Sequence, residues 1–552
     1  MRSDQEGKLV QGAGNLTRRR FSELVAGGSV GLLSGCASQL PVPPEIPGEP
    51  PANPIPWLKP VVLHRVGAPA RCIDVHGHFF NATDVPVRGF LEGPIANEKG
   101  GEIGKLIKSL AGLGQLLAFI PPTAGEEYKA LQAMSSHPAV LEAGTREDFL
   151  KKTVDAQRQQ TSREFFRVVR NTPFEGHYND IIRRRRQSRP RDFSAVELSS
   201  ELNSESLADA MVLGGKPRVL TRQMRAELAE QDYPEGVLAF IGCMLSPRWM
   251  NIYEFARAYS SEAGAFGIDQ VFGVLVDFDR WLEPTPRSGQ LDQIKLHQYL
   301  SALSGGYMRP LVGYNPWSDW VERGGATTRV VDAVLHRGFV GAKLYPPNGF
   351  RPYGNTLPPA TPQPMGGPTA RELDDTLDYF WDQCAAKKIP VMAHAGSSFG
   401  SDDAHNALAG PPGWEALLTR RDVPPPILAN VGHFGGDADR NGWTEKFSSY
   451  MGWAQGSGFY ADIGYWNKLH CLGAMEGDCK IAHDKLVAVL RLPNVSKRVM
   501  YGSDWHMLAQ ERDWWRYPFD IAEDTASMRD LMAPEDLFAG NAVRCFASTL
   551  VA

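Results

Sequence analysis

Residues 270–279 read QVFGVLVDFD, a short apolar run closed by acidic residues. Taken alone, it is a buried strand or a piece of a buried helix, since periodicity does not separate the two at this length. Its surroundings decide. Runs of the same kind recur as RPLVGY (309–314), GFVGAKLY (338–345), IPVMAHAG (389–396), PPILANVGH (425–433), GFYADIGY (458–465) and RVMYGSD (498–504). Between them lie helical patterns such as ATTRVVDAVLHRG and RELDDTLDYFWDQCAAKK, the second ending in two lysines that suit a helix C-terminus. Near-continuous apolar strands separated by helices imply a parallel sheet covered on both faces. RCIDVHGHFF (71–80) supplies one more strand, which makes eight. The expected fold class is therefore α/β, a (β/α)8 TIM-type barrel over residues 71–78 and 231–552.

Residues 79–230 break the alternation. KLIKSLAGLGQLLAFI (105–120) and the segment 146–171 read as helices, and RRRRQSRPR (183–191) as a solvated loop or an ion-pair partner. This stretch is expected to be a large, mainly helical insertion after strand 1, placed to cap the mouth of the barrel.

The N-terminus has the anatomy of an export signal. Thr17-Arg18-Arg19-Arg20-Phe21 resembles the twin-arginine signal, and Leu33-Ser34-Gly35-Cys36 resembles a lipoprotein cleavage box, so residues 1–36 are expected to be removed and Cys36 lipidated. The next residues, 37–70, hold eight prolines from Pro41 to Pro56 and read as a stiff extended tether. The expected address is the periplasmic side of a bacterial cell envelope, with a lipid anchor in the membrane. The chain has 58 basic and 63 acidic residues, a net charge of −5, which gives no sign of a nucleic-acid partner. Of seven cysteines, Cys471 and Cys479 are near enough to close a small disulfide loop in an oxidising compartment.

Barrel active sites form at the C-terminal ends of the strands. Those ends carry His76 and His78 on strand 1, Lys343 on strand 4, His394 on strand 5, His433 after strand 6 and Asp504 after strand 8. His76 and His78 are separated by one residue, which in an extended strand puts both rings on one face. Each residue has an ordinary reading: a satisfied core histidine for His394, a helix cap for Asp504. Together, imidazoles and a carboxylate without thiolates form a donor set for a borderline divalent ion such as zinc.

The motifs DVHGH, GFVGAKLYP, PVMAHAG, ILANVGHFGG, VMYGSDW and FAGNAVRCF resemble the amidohydrolase superfamily, in particular its amidohydrolase-2 or aminocarboxymuconate-semialdehyde-decarboxylase-like branch. The resemblance covers residues 71–78 and about 270–546. It implies His76, His78, His394 and Asp504 as ligands of one divalent metal, with Asp504 the proton acceptor and His433 orienting water or stabilising an oxyanion. In some relatives the lysine matching Lys343 is carbamylated and bridges two metals; otherwise it is structural or faces the substrate. Arg351 is a candidate to hold a substrate carboxylate, against the reading of an exposed loop arginine. His506 stands where the family usually has proline, as a substrate contact or a helix cap. The implied function is hydrolysis of a C–N or C–O bond in a small molecule. The alternatives are a metal-dependent decarboxylase of the same branch and a non-catalytic scaffold lipoprotein.

Overall fold

The computed structural model describes residues 54–62, 71–88, 101–188, 234–260, 267–281, 285–362, 364–398, 402–420, 427–469, 476–511 and 514–550. The expected signal with Cys36, most of the tether, and Cys471 lie outside them. Cys479 is disulfide-bonded, whereas Cys72, Cys243, Cys384 and Cys545 are buried free thiols.

Eight parallel strands follow one another around a single sheet: β1 (Ile73–Gly77), β2 (Gln270–Val274), β3 (Met308–Gly313), β4 (Gly341–Leu344), β5 (Val391–His394), β6 (Ala429–Gly432), β7 (Phe459–Asp462) and β8 (Val499–Met500). The end of β8 returns to β1. Val75 donates its N–H to the Tyr501 carbonyl at 3.2 Å, and Asp504 donates to the His76 carbonyl at 2.6 Å. Gly77 and Trp505 form a parallel bridge beside them. The sheet therefore closes on itself, the (β/α)8 barrel expected from the sequence. Its strands are buried along almost their whole length, because side chains fill the barrel and helices cover its outside. Ile73, Val75, Phe272, Val274, Leu311 and Met392 fill the lower barrel, and Phe546 from the C-terminal segment joins them.

The connection from β1 to β2 carries the helices Gly101–Lys108, Ala124–Ser135, Ala143–Val169, Pro173–Ser188, Pro234–Met244 and Arg248–Ser260. The helix Ala124–Ser135 starts at a capping box, with Thr123 and Glu126 each accepting from the other's backbone N–H. Part of this connection builds a core of its own, in which Leu106, Leu110, Phe165, Phe174, Tyr178 and Leu238 pack together. Phe165 and Phe174 meet edge to face at 5.6 Å. Arg248, fully buried, pins this region to the barrel side. It pairs with Asp84 at 2.6 Å and Glu127 at 2.8 Å, and its Nη2 also donates to Thr83 and Ser288.

Three local expectations change. The run 105–120 is not one helix: it divides into Gly101–Lys108, a 3-10 turn at Ala111–Leu113 and the short helix Gly114–Leu117. Gly112 and Gly114 weaken the helix there, and Gly114 packs so close to the Arg88 backbone that a Cβ would lie 3.3 Å from it. The arginine run is not a loop throughout, since the helix Pro173–Ser188 contains its first residues and Arg183 pairs with Asp180 one turn earlier at 3.2 Å. The tether reading fails at Trp57 and Leu58, which are core. Trp57 packs edge-on to Trp249 and donates its indole N–H to Ser135 at 2.9 Å, while the Leu58 N–H bonds to the Leu303 carbonyl. No helix among the described residues is long and apolar enough to cross a membrane.

Candidate metal centre

β1 delivers both of its histidines to one carboxylate. His76 Nε2 lies 3.4 Å, and His78 Nε2 3.2 Å, from Asp504 Oδ1. The opposite ring nitrogens are held from behind. His76 Nδ1 faces Asp462 Oδ1 at 3.0 Å, and His78 Nδ1 faces the Val274 carbonyl at 2.9 Å. A carbonyl only accepts, so the hydrogen-bond network assigns the His78 proton to Nδ1 and leaves Nε2 as a lone pair. Space for the buried His76 ring comes from glycines just past the ends of β7 and β8, the strands that close the barrel onto β1. A Cβ at Gly464 would stand 2.7 Å from His76 Nδ1, and one at Gly502 2.8 Å from His76 Cβ.

His394, the last residue of β5, and His433, just past β6, form a second pair. His394 Nδ1 is 3.0 Å from His433 Nε2, and His433 Nδ1 is 3.0 Å from the Gly464 carbonyl. That carbonyl places a proton on His433 Nδ1, so His433 Nε2 accepts from His394 Nδ1–H. His394 Nε2 is left bare, buried and without a hydrogen-bond partner, as is His76 Nε2. His433 and Asp504 both hold left-handed backbone, with φ of 65° and 57°. Histidine and aspartate tolerate that region better than most residues, and such strain gathers where a side chain must be aimed.

The donor atoms of His76, His433 and Asp504 lie within 4.8 Å of one another, with all three residues at strand ends. The sequence expectation assigned His433 a supporting role and made His78 and His394 ligands. The structure groups His433 with His76 and Asp504, and sets His78 and His394 directly beside them: the His76 ring lies 4.7 Å from that of His433 and 5.3 Å from that of His78. Burial takes the His76 imidazole down to about 3 against the pull of Asp462. Burial, then His433, holds His394 well below the ordinary range. Burial pushes the Asp504 carboxyl up, but His433, His78 and His76 outweigh it and bring it to about 2. Near neutral pH His76 and His394 are therefore uncharged imidazoles and Asp504 is a carboxylate. Their bare, buried nitrogens fit a divalent ion held by N and O donors.

Lys343, on β4, is buried beside this cluster with no hydrogen bond at Nζ. Burial lowers its ammonium to about 8, with Asp462 and Asp504 opposing. Asp462, the last residue of β7, is a site residue that the motif reading omitted. It accepts from Asn430 at 2.8 Å and from the Gly464 N–H at 2.9 Å, and with its remaining capacity fixes the His76 ring. The same strand-end rule, applied to GFYADIGY, points to it.

Two further candidates stand elsewhere. Arg351 is buried rather than an exposed loop residue, and its guanidinium donates to the carbonyls of Gly354, Leu357 and Pro359. It closes its own loop and does not line the cavity. His506 is fully buried one layer back, its Nδ1 bonded to the His78 carbonyl at 2.9 Å and its ring against Phe80 and Phe240. It makes no side-chain cap to the short helix that follows.

Above the cluster is a cavity of about 700 Å³, lined by His78, His394, His433 and Asp504 on the barrel side. Leu110, Leu117, Phe240, Ile241 and Met244 line it from the β1–β2 connection.

No family model matches the chain, and no curated protein matches it. Among solved structures, it is similar to a probable 2-pyrone-4,6-dicarboxylic acid hydrolase from Acinetobacter baumannii with citric acid bound. That match has 12% identity and a TM-score of 0.32, covering 51% of this chain and 84% of the other. It is also similar to an amidohydrolase from Burkholderia multivorans, seen with HEPES and with zinc bound. Each of those has 14% identity, a TM-score of 0.33 and the same coverage. At this level the likeness carries nothing about chemistry, which rests on the geometry above.

Proposed function

We propose that this protein is a metal-dependent hydrolase that cleaves a C–N or C–O bond of a small-molecule substrate with activated water. The observation that carries this reading is the convergence of the His76, His433 and Asp504 donor atoms within 4.8 Å beneath a substrate-sized cavity. His76 and Asp504, with His78 and His394 beside them, would hold one divalent ion, for which zinc suits the mixed N and O donors. Such an ion supplies a water of lowered pKa and polarises a substrate oxygen.

The chain's own residues do the rest. Asp504, ionised well below neutral pH, is the proton acceptor at its carboxylate oxygens. His433, fixed through Nδ1 by the Gly464 carbonyl, presents an Nε2 lone pair at the cluster, where it would orient water by accepting its hydrogen in place of the His394 N–H. Asp462 holds His76 in the tautomer that leaves Nε2 free. Lys343, with Nζ unpaired, keeps a cation beside the two carboxylates; if carbamylated, it would support a second metal. Arg351, the cation suggested for a departing carboxylate, is spent on its own loop, so no observation favours the decarboxylase.

The test is an assay of the metal-loaded protein in water enriched in heavy oxygen. The expected result is one equivalent of metal and label in the product acid. Carbon dioxide release without incorporation would replace the hydrolase by a lyase. We further propose export and anchoring through Cys36, supported by the sequence motifs at 17–21 and 33–36. A mature N-terminus elsewhere, without lipid, would overturn that.

A further inference from the structure

The cavity over the metal centre has two unlike walls. The apolar wall begins at the histidines themselves: Phe80 packs on His78 at 5.3 Å, and Tyr345 on His394 at 4.8 Å, with Phe278 against Tyr345. It continues outward through Val276 of the barrel and onto Leu110, Leu117, Phe240 and Ile241 of the β1–β2 connection. Phe240 is only half-buried, so part of its ring stands open to the cavity. Another part of the lining is acidic. Asp437, Asp439, Asp478 and Glu511 form it, and Lys468 is the only cationic side chain among the described lining residues. Asp439 takes a hydrogen bond from Ser397, and Glu511 takes one from Tyr465. These bonds use part of the carboxylates' acceptor capacity.

Away from the floor, where the ion and Lys343 would sit, a substrate carboxylate would therefore meet acidic side chains, with no arginine among the described lining residues. Like charges at close range in a partly enclosed site repel and disfavour binding. An apolar group would instead cover the open ring of Phe240 and remove its own surface from water. We infer that the substrate is an uncharged carboxylic ester or amide carrying a bulky apolar group, seated on the wall formed by Phe80, Phe240 and Phe278, and that anionic analogues are rejected. This rests on the hydrolase reading for its chemistry. Water adds its oxygen to the acyl carbon, the bond to the leaving group breaks, and the leaving alcohol or amine takes a proton.

Three esters with one leaving group separate charge from reactivity: 4-nitrophenyl acetate, 4-nitrophenyl hexanoate and the 4-nitrophenyl half-ester of glutaric acid. With metal-loaded full-length protein, kcat/KM should be about tenfold or more higher for hexanoate than for either of the others. Phe240→Ser should cut the hexanoate-to-acetate ratio by about tenfold. Glu511→Gln with Asp439→Asn should narrow the gap between hexanoate and the glutarate half-ester. Binding of the uncharged fluorophore N-phenyl-1-naphthylamine reads the same wall without turnover, and Phe240→Ser should weaken it several-fold. If the probe binds in this way but no ester is cleaved, the apolar ligand class stands and the hydrolase reading falls. If the esters are cleaved and the glutarate half-ester is preferred, hydrolysis stands and the inference is overturned. Probe affinity and ester ratios untouched by Phe240→Ser would also overturn it, and the wild-type ratio decides on its own if that variant does not fold.

Discussion

The strand-end rim and the helical cap enclose one cavity, yet they are built by opposite rules. The rim concentrates polar groups at full burial, holds His433 and Asp504 in left-handed backbone, and leaves the Nε2 atoms of His76 and His394 without partners. The cap is built by ordinary packing: its helix Ala124–Ser135 starts at a capping box, its Phe165–Phe174 core is apolar, and its buried Arg248 is matched by two carboxylates. A region that is costly to fold is tolerated where surrounding structure over-determines it and where it does chemistry. In the proposed enzyme the rim carries reactivity, while the cap carries stability and selectivity.

That division can be broken experimentally. The largest effect should come from the rim. Asp504→Asn is expected to lower turnover on the order of 10⁴-fold, with little change in thermal stability measured with metal removed. An Asp504→Asn protein with full activity would end the proposed assignment.

Phe174→Ala should do the reverse. It empties a fully buried site in the cap core and should cost about 3–5 kcal/mol in denaturant unfolding, with metal content unchanged. Loss of metal in this variant would show that the two regions fold as one and would blur the comparison.

The third test uses pH. His297 is fully buried on the helix Gln290–Leu303, which packs against the cap helix Ala124–Ser135. Burial, with Arg248 nearby, lowers its imidazole from 6.5 to about 4. The unfolded chain therefore binds a proton between those values that the folded chain does not. Stability contributed by neutral His297 is present above about 6.5 and falls as pH drops toward 4, by up to roughly 3 kcal/mol. Equilibrium unfolding of His297→Gln should show a shallower decline across this window than the parent.

The smallest effect sharpens the picture within the rim. Asp462→Asn should weaken metal binding by roughly 10- to 100-fold, less than loss of His76 itself, because it disturbs only the orientation of the ring. Metal titration distinguishes the two.

How much of this was readable beforehand differs between the regions in the same way. All eight strands were legible, since a strand buried on both faces needs a continuous apolar run and little else does at that length. His76, His78, His394, His433 and Asp504 followed because parallel strands in a barrel bring their C-terminal ends to one side whatever lies between them. Asp462 obeys the same rule and was visible in GFYADIGY, but no motif drew attention to it. The cap was harder. The run 105–120 reads as one helix but divides at its glycines, and the start of 183–191, which reads as a loop or an ion-pair partner, continues a helix; glycine spacing and tertiary contacts override local preference there. Trp57 and Leu58 sit at the edge of a proline-rich stretch whose composition argues for an extended chain, and only the Trp249 and Leu303 partners make them core.

The sequence by itself determined the barrel, its strand order and the chemical character of its rim, because these depend on hydrophobic runs and on residue types at strand ends. Tertiary structure alone decided which imidazole nitrogen faces inward, since that is set by Asp462, Val274 and Gly464, distant in the chain from the rings they hold. It also decided that Arg351 turns into its own loop and that Phe240 reaches the cavity above the histidine cluster. Side-chain direction and long-range proximity arise only when the chain closes, and no local pattern encodes them.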